Sequence, residues 1–183
     1  MPSFVSRRRF LQDLAVASAA VPLASRALQA QAGRKVRHAS FGASGMALSD
    51  IRSFSSHPAF DLVAVADADL SRTEQVKKLF PNVRVYQDWR ELLRKEADAL
   101  DSVNVSTPDH MHAPIAMAAM SYGKHVYVQK PLATTVHETR MLAATAREKR
   151  LVSQMGIQIS SHQTQLVTEA MIRNGFIGKV TEV

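Results

Sequence analysis

Residues 36–67 read VRHASFGASGMALSDIRSFSSHPAFDLVAVAD, and this stretch decides the fold. Residues 36–41 form a strand-like run that ends at Gly42. Beyond the turn, Ala47, Leu48, Ile51 and Phe54 recur at helical spacing until Pro58 stops them. Residues 62–66 are then almost continuously apolar, as a strand must be when a parallel sheet is covered on both faces. An acid, Asp67, closes the run. Strand, glycine turn, helix, strand and acid make one parallel crossover unit.

The same alternation continues. Ser71 with Glu74 predicts a capping box ahead of a helix lined by Val76, Leu79 and Phe80. Residues 83–86 read as a third strand, and Asp88 with Glu91 caps a short helix carrying Trp89, Leu92 and Leu93. Residues 101–105 are the fourth strand. The helix after Pro108 shows Met111, Ile115, Ala119 and Tyr122, with Gly123 as its stop. Residues 125–128 are the fifth strand, Thr135 with Glu138 caps the next helix, and residues 151–155 are the sixth. Strands and helices in this order predict an α/β fold, a doubly wound, mostly parallel Rossmann sheet over residues 33–155. An eight-stranded parallel barrel would need about 250 residues, more than the 183 present.

Beyond Gly156 the pattern changes. Ser161 is expected to cap a helix bearing Leu166, Val167, Ala170 and Met171, closed by Gly175. Residues 179–183 look like the start of a further strand, so residues 156–183 are expected to be a linker and the truncated start of a second domain.

Composition limits the function. The chain is 46% hydrophobic and 21% charged, with a formal charge of +7. Arg7, Arg8, Arg9 and Arg26 lie in the first 32 residues, against Asp13 alone; from Gly33 onward the net is +4 and scattered. No basic stripe is interleaved with aromatics, so a nucleic-acid partner is not expected. There is no cysteine, which excludes disulfide, thiolate-metal and cysteine-nucleophile chemistry. Residues 1–32 combine a basic start, an apolar stretch at 14–23 and the small-x-small triplet Ala30-Gln31-Ala32, the layout of a signal peptide. That apolar stretch falls well short of the roughly 20 residues of a membrane span. Ser6-Arg7-Arg8-Arg9-Phe10-Leu11 resembles the twin-arginine export signal, which makes the export machinery a partner and an exported, periplasmic location the expectation. A basic N-terminus on a cytoplasmic protein is the alternative.

Ligands of an open parallel sheet sit at the carboxyl ends of its strands. The first such end reads Gly42-Ala43-Ser44-Gly45-Met46-Ala47. Gly42 supplies the tight turn and Ala47 the small closing residue, while Ser44 stands where a dinucleotide fingerprint has its second glycine. Gly45 and Met46 begin the helix, whose free amides can hold a pyrophosphate. Asp67, twenty positions past Ala47, is placed to bind an adenosine ribose hydroxyl and to repel a 2′-phosphate. NAD is therefore expected as cofactor, with NADP possible because Arg72 is close by. At the fourth strand end, Ser106 and Thr107 are candidates to line the cofactor, with His110 and His112 as polar groups at the same edge. Two histidines at this spacing, without a third ligand, do not predict a metal site. At the fifth, Gln129-Lys130-Pro131 can direct an ammonium into the cleft, to bind a substrate hydroxyl and favour its alkoxide, or to act as acid or base.

Taken together, the glycine turn, Val65-Ala66-Asp67, Ser106-Thr107-Pro108-Asp109-His110-Met111-His112-Ala113 and Gln129-Lys130-Pro131-Leu132 resemble the nucleotide-binding half of the Gfo/Idh/MocA family, the glucose–fructose oxidoreductase, inositol dehydrogenase and rhizopine-catabolism enzymes. Met155-Gly156-Ile157-Gln158, Ser161-His162 and residues 174–180 are similar to family members as well. The resemblance implies an NAD(P)-dependent oxidoreductase acting on a sugar, cyclitol or related polyol, with Lys130 as the catalytic lysine beside the nicotinamide. It implies a cofactor lining of Gly42, Ser44, Gly45, Met46, Asp67, Arg72, Ser106, Thr107, His110, Gln129 and Lys130.

This chain departs from the family pattern at Ser44, at Gln129, where an acid is usual, and at Ile157, often asparagine. The family's second domain, an open sheet carrying most substrate contacts, a further catalytic histidine or aspartate and the oligomer interface, has no counterpart in these 183 residues. A homo-oligomer is expected only for a form that has it. The alternatives are a dinucleotide-binding protein without turnover, and another Rossmann enzyme such as a methyltransferase; the histidine cluster and Gln129-Lys130-Pro131 do not suit the latter.

Overall fold

The computed structural model describes residues 33–179, 181 and 182. The expected leader, residues 1–32, lies outside the described residues.

Six strands form one parallel sheet: β1 (Val36–Phe41), β2 (Phe60–Ala66), β3 (Arg84–Tyr86), β4 (Ser102–Val105), β5 (His125–Gln129) and β6 (Ser153–Gly156), in the order β3-β2-β1-β4-β5-β6. Every pairing is parallel, from Val36 opposite Phe60 to Gln129 opposite Gly156. The order reverses between β1 and β4, and that reversal opens a crevice at the carboxyl edge. Between the strands run α1 (Met46–Ser55), α2 (Glu74–Leu79), α3 (Trp89–Glu96), α4 (His112–Ser121) and α5 (Val136–Glu148), with α6 (Gln163–Arg173) after β6.

The two faces of the sheet differ in chemistry. On one face Ala39, Phe41, Val103, Val105, Val126 and Val128 form a continuous apolar surface, packed with Leu92, Ile115, Ala116, Ala119 and Leu142 from α3, α4 and α5. Burying a side chain such as Phe41 or Ile115 fully contributes about 1.5–3 kcal/mol. Strand residues alternate between faces, so the opposite face of β1, β4 and β5 carries His38, Ser40, Ser102, Asn104, Tyr127 and Gln129. Polar groups on that face are buried too, and they are hydrogen-bonded. The His38 ring lies 2.8 Å from Ser102 Oγ and 3.0 Å from Asn104 Oδ1.

Three local expectations need correction. The Ser71/Glu74 capping box is absent: Asp69 accepts from the Ser71 amide at 3.0 Å and starts a short 3-10 turn, Leu70–Thr73, leaving Glu74 to pair with Lys77. An aspartate reaches the amide two residues on without help, so the cap moves to it. Likewise α6 is capped by His162, whose Nδ1 accepts from the Thr164 amide at 3.3 Å, rather than by Ser161. Of the strand expected at 179–183, Lys179, Thr181 and Glu182 show none, while Val180 and Val183 lie outside the described residues. The Thr135/Glu138 box is present: Thr135 Oγ1 accepts from the Glu138 amide at 3.1 Å, and Glu138 Oε2 accepts from the Thr135 amide at 3.0 Å. Among the described residues no helix is long and apolar enough to cross a membrane.

Candidate functional site

The glycine turn is held from three sides. Gly42 has φ +101, and a Cβ there would stand 2.6 Å from the Ser106 carbonyl oxygen and 2.9 Å from Ala47 Cβ. No other residue fits. The Gly42 amide donates to Ala66 O at 2.8 Å, and Ser106 donates its amide to Phe41 O at 2.9 Å, so the turn is pinned between β2 and β4. Gly45, with φ +55, precedes α1 and leaves open space where a side chain would stand. That exposes the first amides of the helix.

Asp67 sits half-buried at the end of β2. Its Oδ2 accepts from the Ala43 amide in the glycine turn at 3.0 Å, and its Oδ1 accepts from Asp69 N at 3.1 Å. The turn and the acid are therefore one unit, although twenty-four positions separate Ala43 from Asp67. Between them lies a cleft of about 680 Å³ that gathers Gly42, Ser44, Asp67, Arg72, Ser106, Thr107 and His110. Seven sequence-predicted residues thus come to one place. The far wall is Gln87, Asp88, Trp89 and Arg90, with the Arg90 guanidinium 4.3 Å from the centre of the Trp89 ring. The cleft's two arginines both have acidic partners: Arg72 with Asp69 at 3.4 Å, Arg90 with Asp88 at 3.5 Å. The Ser71 hydroxyl and amide, then Arg72, hold the Asp69 carboxyl below its usual range.

Gly45, Met46, Gln129 and Lys130 do not line that cleft; the last three gather at the β5 end instead. Gln129 is buried, and its Oε1 accepts from Gln158 Nε2 at 2.9 Å and from the Lys130 amide at 3.3 Å. Gln158 also reaches Met46 Sδ at 3.5 Å. Lys130 itself is exposed and pairs with no carboxylate among the described residues; its bond to Pro131 is cis.

Sequence reasoning misplaced one group and missed another. His112 was expected as a polar group at the active edge. It is 1% exposed, with its ring between Pro131 O at 2.6 Å and Thr107 O at 2.8 Å, so it ties the two loops together from below. His110 is the exposed member of the pair. The missed residue is Asp50, a buried carboxylate on α1 that accepts from Ser106 Oγ at 2.7 Å and from Gln129 Nε2 at 2.9 and 3.0 Å. Its sequence signal was its place three residues after Ala47, on the helix stripe that should have been apolar.

Residues 36–157 match the profile of the oxidoreductase family GFO_IDH_MocA, described as an NAD-binding Rossmann fold. The chain belongs to the Gfo/Idh/MocA family. It is 27% identical over 116 residues to levoglucosan dehydrogenase of Pseudarthrobacter phenanthrenivorans, covering 63% of this chain and 29% of that protein. It is 34% identical over 119 residues to the alpha-N-acetylgalactosaminidase of Shewanella oneidensis, covering 64% and 26%. Among solved structures it is similar to KijD10, a 3-ketoreductase from Actinomadura kijaniata in complex with TDP-benzene and NADP, with a TM-score of 0.72, 26% identity, and 80% and 46% of the two chains covered. GenD2 from gentamicin A biosynthesis, in complex with NAD, matches with a TM-score of 0.62 at 30% identity, over 67% and 34%. The chain spans less than half the length of each of these proteins.

The residues present fit the family's dinucleotide. The cleft volume falls within the roughly 300–1,000 Å³ of small-molecule sites. Within it the Thr107 hydroxyl is a buried side-chain polar atom with no hydrogen-bond partner. Such an orphan costs about 1–3 kcal/mol, a cost that a ligand group can remove.

Proposed function

We propose that residues 36–157 hold NAD or NADP across the carboxyl edge, and that the whole protein transfers hydride between that cofactor and a sugar, cyclitol or related polyol. The observation that carries the reading is the single cleft joining the glycine turn, Asp67, Ser106, His110 and the unpartnered Thr107 hydroxyl. At the edge of this cleft the amides around Gly45 and Met46 bind the pyrophosphate; within it Asp67 accepts from the adenosine ribose hydroxyls and Arg72 borders the ribose. Ser106, Thr107, His110 and Gln129 border the nicotinamide end. When bound, the nicotinamide supplies or accepts the hydride. Lys130 contributes the protein's share of the chemistry: its exposed ammonium donates to the substrate hydroxyl and stabilises the developing alkoxide. The sugar-like substrate class is supported by the relatives named above, a levoglucosan dehydrogenase and an alpha-N-acetylgalactosaminidase among them. NAD is favoured over NADP because Asp67 opposes a 2′-phosphate and both cleft arginines already face carboxylates.

Residues 1–32 fit this reading as a twin-arginine leader to an exported location. The support is Arg7-Arg8-Arg9-Phe10-Leu11 ahead of a short apolar stretch.

The test is titration of the 183-residue chain with NADH and NADPH, followed by fluorescence. Saturable binding is expected, tighter for NADH, and weakened about tenfold in Asp67→Ala by loss of charge-assisted hydrogen bonds. Folded chain that binds neither cofactor would overturn the reading. Binding without hydride transfer to any sugar or polyol would make it a dinucleotide-binding protein instead.

A further inference from the structure

Asp50 is 6% exposed on the buried side of α1, and nothing in the glycine turn or the Lys130 loop requires a carboxylate there. Burying a charge is costly unless a partner compensates it. The partners here are neutral donors, the Gln129 amide and the Ser106 hydroxyl, and Asp50 forms no ion pair among the described residues. Their orientation follows from it. Because the Gln129 amino group is turned onto Asp50, its carbonyl must face the Lys130 amide and Gln158. Ser106 is oriented in the same way, accepting from Asn104 Nδ2 at 2.8 Å and donating its hydroxyl to Asp50 Oδ2 at 2.7 Å.

Ser106 and Gln129 lie at the ends of β4 and β5, on the opposite side of the switch point from Asp67. A dinucleotide with its adenosine ribose at Asp67 extends its other end across this half of the edge. We propose that Asp50 is a positioning residue for the nicotinamide end of the site, and that its uncompensated negative charge makes this chain hold the oxidised cofactor more tightly than the reduced one. The oxidised ring carries one positive charge that the reduced ring lacks, and a fixed charge in poorly solvated surroundings acts over several ångströms. The inference rests on the cofactor reading above.

The test compares binding of NAD⁺, NADH and ADP-ribose to the 183-residue chain by calorimetry, in the native sequence, Asp50→Asn, and the double variant Asp50→Asn with Gln129→Glu. In the single variant NAD⁺ is expected to weaken on the order of tenfold, with NADH much less affected and ADP-ribose unchanged. The double variant moves the carboxylate to the other end of the same hydrogen bond and is expected to restore the preference for NAD⁺. An NAD⁺-to-NADH affinity ratio equal in native and Asp50→Asn chains would overturn the proposal. So would an equal loss for all three ligands, which would give Asp50 a merely structural role. If the native chain fails to bind even ADP-ribose, the cofactor reading itself falls and takes the proposal with it.

Discussion

At the scale of single residues, burial sets the chemistry. His38 is pushed down to about 4 by desolvation, against a smaller upward pull from its hydrogen bond to Asn104. A neutral ring with its proton on Nε2 donates to Asn104 Oδ1 and accepts from Ser102, so both neighbours are satisfied. The unfolded chain takes up that proton near the ordinary value of 6.5, so the stabilisation is fully present above it and is lost as pH falls from there toward about 4. The full loss is roughly 3 kcal/mol. Urea unfolding followed between pH 7 and 4 is expected to show a falling midpoint in the native chain and a shallower fall in His38→Gln. Equal slopes would assign the acid sensitivity to other groups. His38 could not be singled out in the sequence, where nothing marks it as facing Asn104, 66 positions away. Gly42 and Asp67 were legible because turn, helix start and acid stand at fixed distances along one crossover unit.

Elements were legible wherever their boundary chemistry is local. The Thr135/Glu138 box starts α5 as its spacing predicts, and Thr135→Ala is expected to lower stability by about 1 kcal/mol, checked by thermal unfolding against a neighbouring exposed alanine substitution. A change near zero would mean that α5 is held by Leu142 and Ala146 alone. Where two capping residues compete, spacing was misleading: Asp69 displaced Ser71, and His162 displaced Ser161. The short β3 shows another limit. Its Arg84 forms a two-pronged ion pair with Glu96 at the end of α3, joined by the Tyr86 hydroxyl at 2.6 Å, and this holds the Glu96 carboxyl below its usual range. Three residues carry too little periodicity to reveal such a clamp.

For the whole molecule, the organising fact is a sheet with one apolar face and, on the other, a buried polar strip along β1, β4 and β5 beside a second apolar cluster of Leu48, Ile51, Leu62, Val65 and Val76. The polar strip ends in a groove of about 470 Å³ bordered by Phe54, Phe60, Val126 and Tyr127, on the α1 side of the sheet. The proposed export leader is also a property of the whole chain, since twin-arginine transport acts on folded proteins. Replacing Arg7, Arg8 and Arg9 together with lysine is expected to keep a fused reporter inside the cell, and unchanged export would sink that reading. By itself the sequence determined the alternation of six strands with helices, the glycine turn, the acid at the end of β2 and the α5 cap, because each is written in local spacing, the longest span being the single crossover unit of residues 36–67. Tertiary structure alone decided that Gln129 meets Asp50 across 79 positions, that His112 clasps the Thr107 and Pro131 loops, and that the Thr107 hydroxyl is left without a partner among the described residues. Those contacts depend on the order β3-β2-β1-β4-β5-β6 and on which side of each strand faces which helix. Periodicity reports that a face is buried; only the packed chain fixes what lies against it.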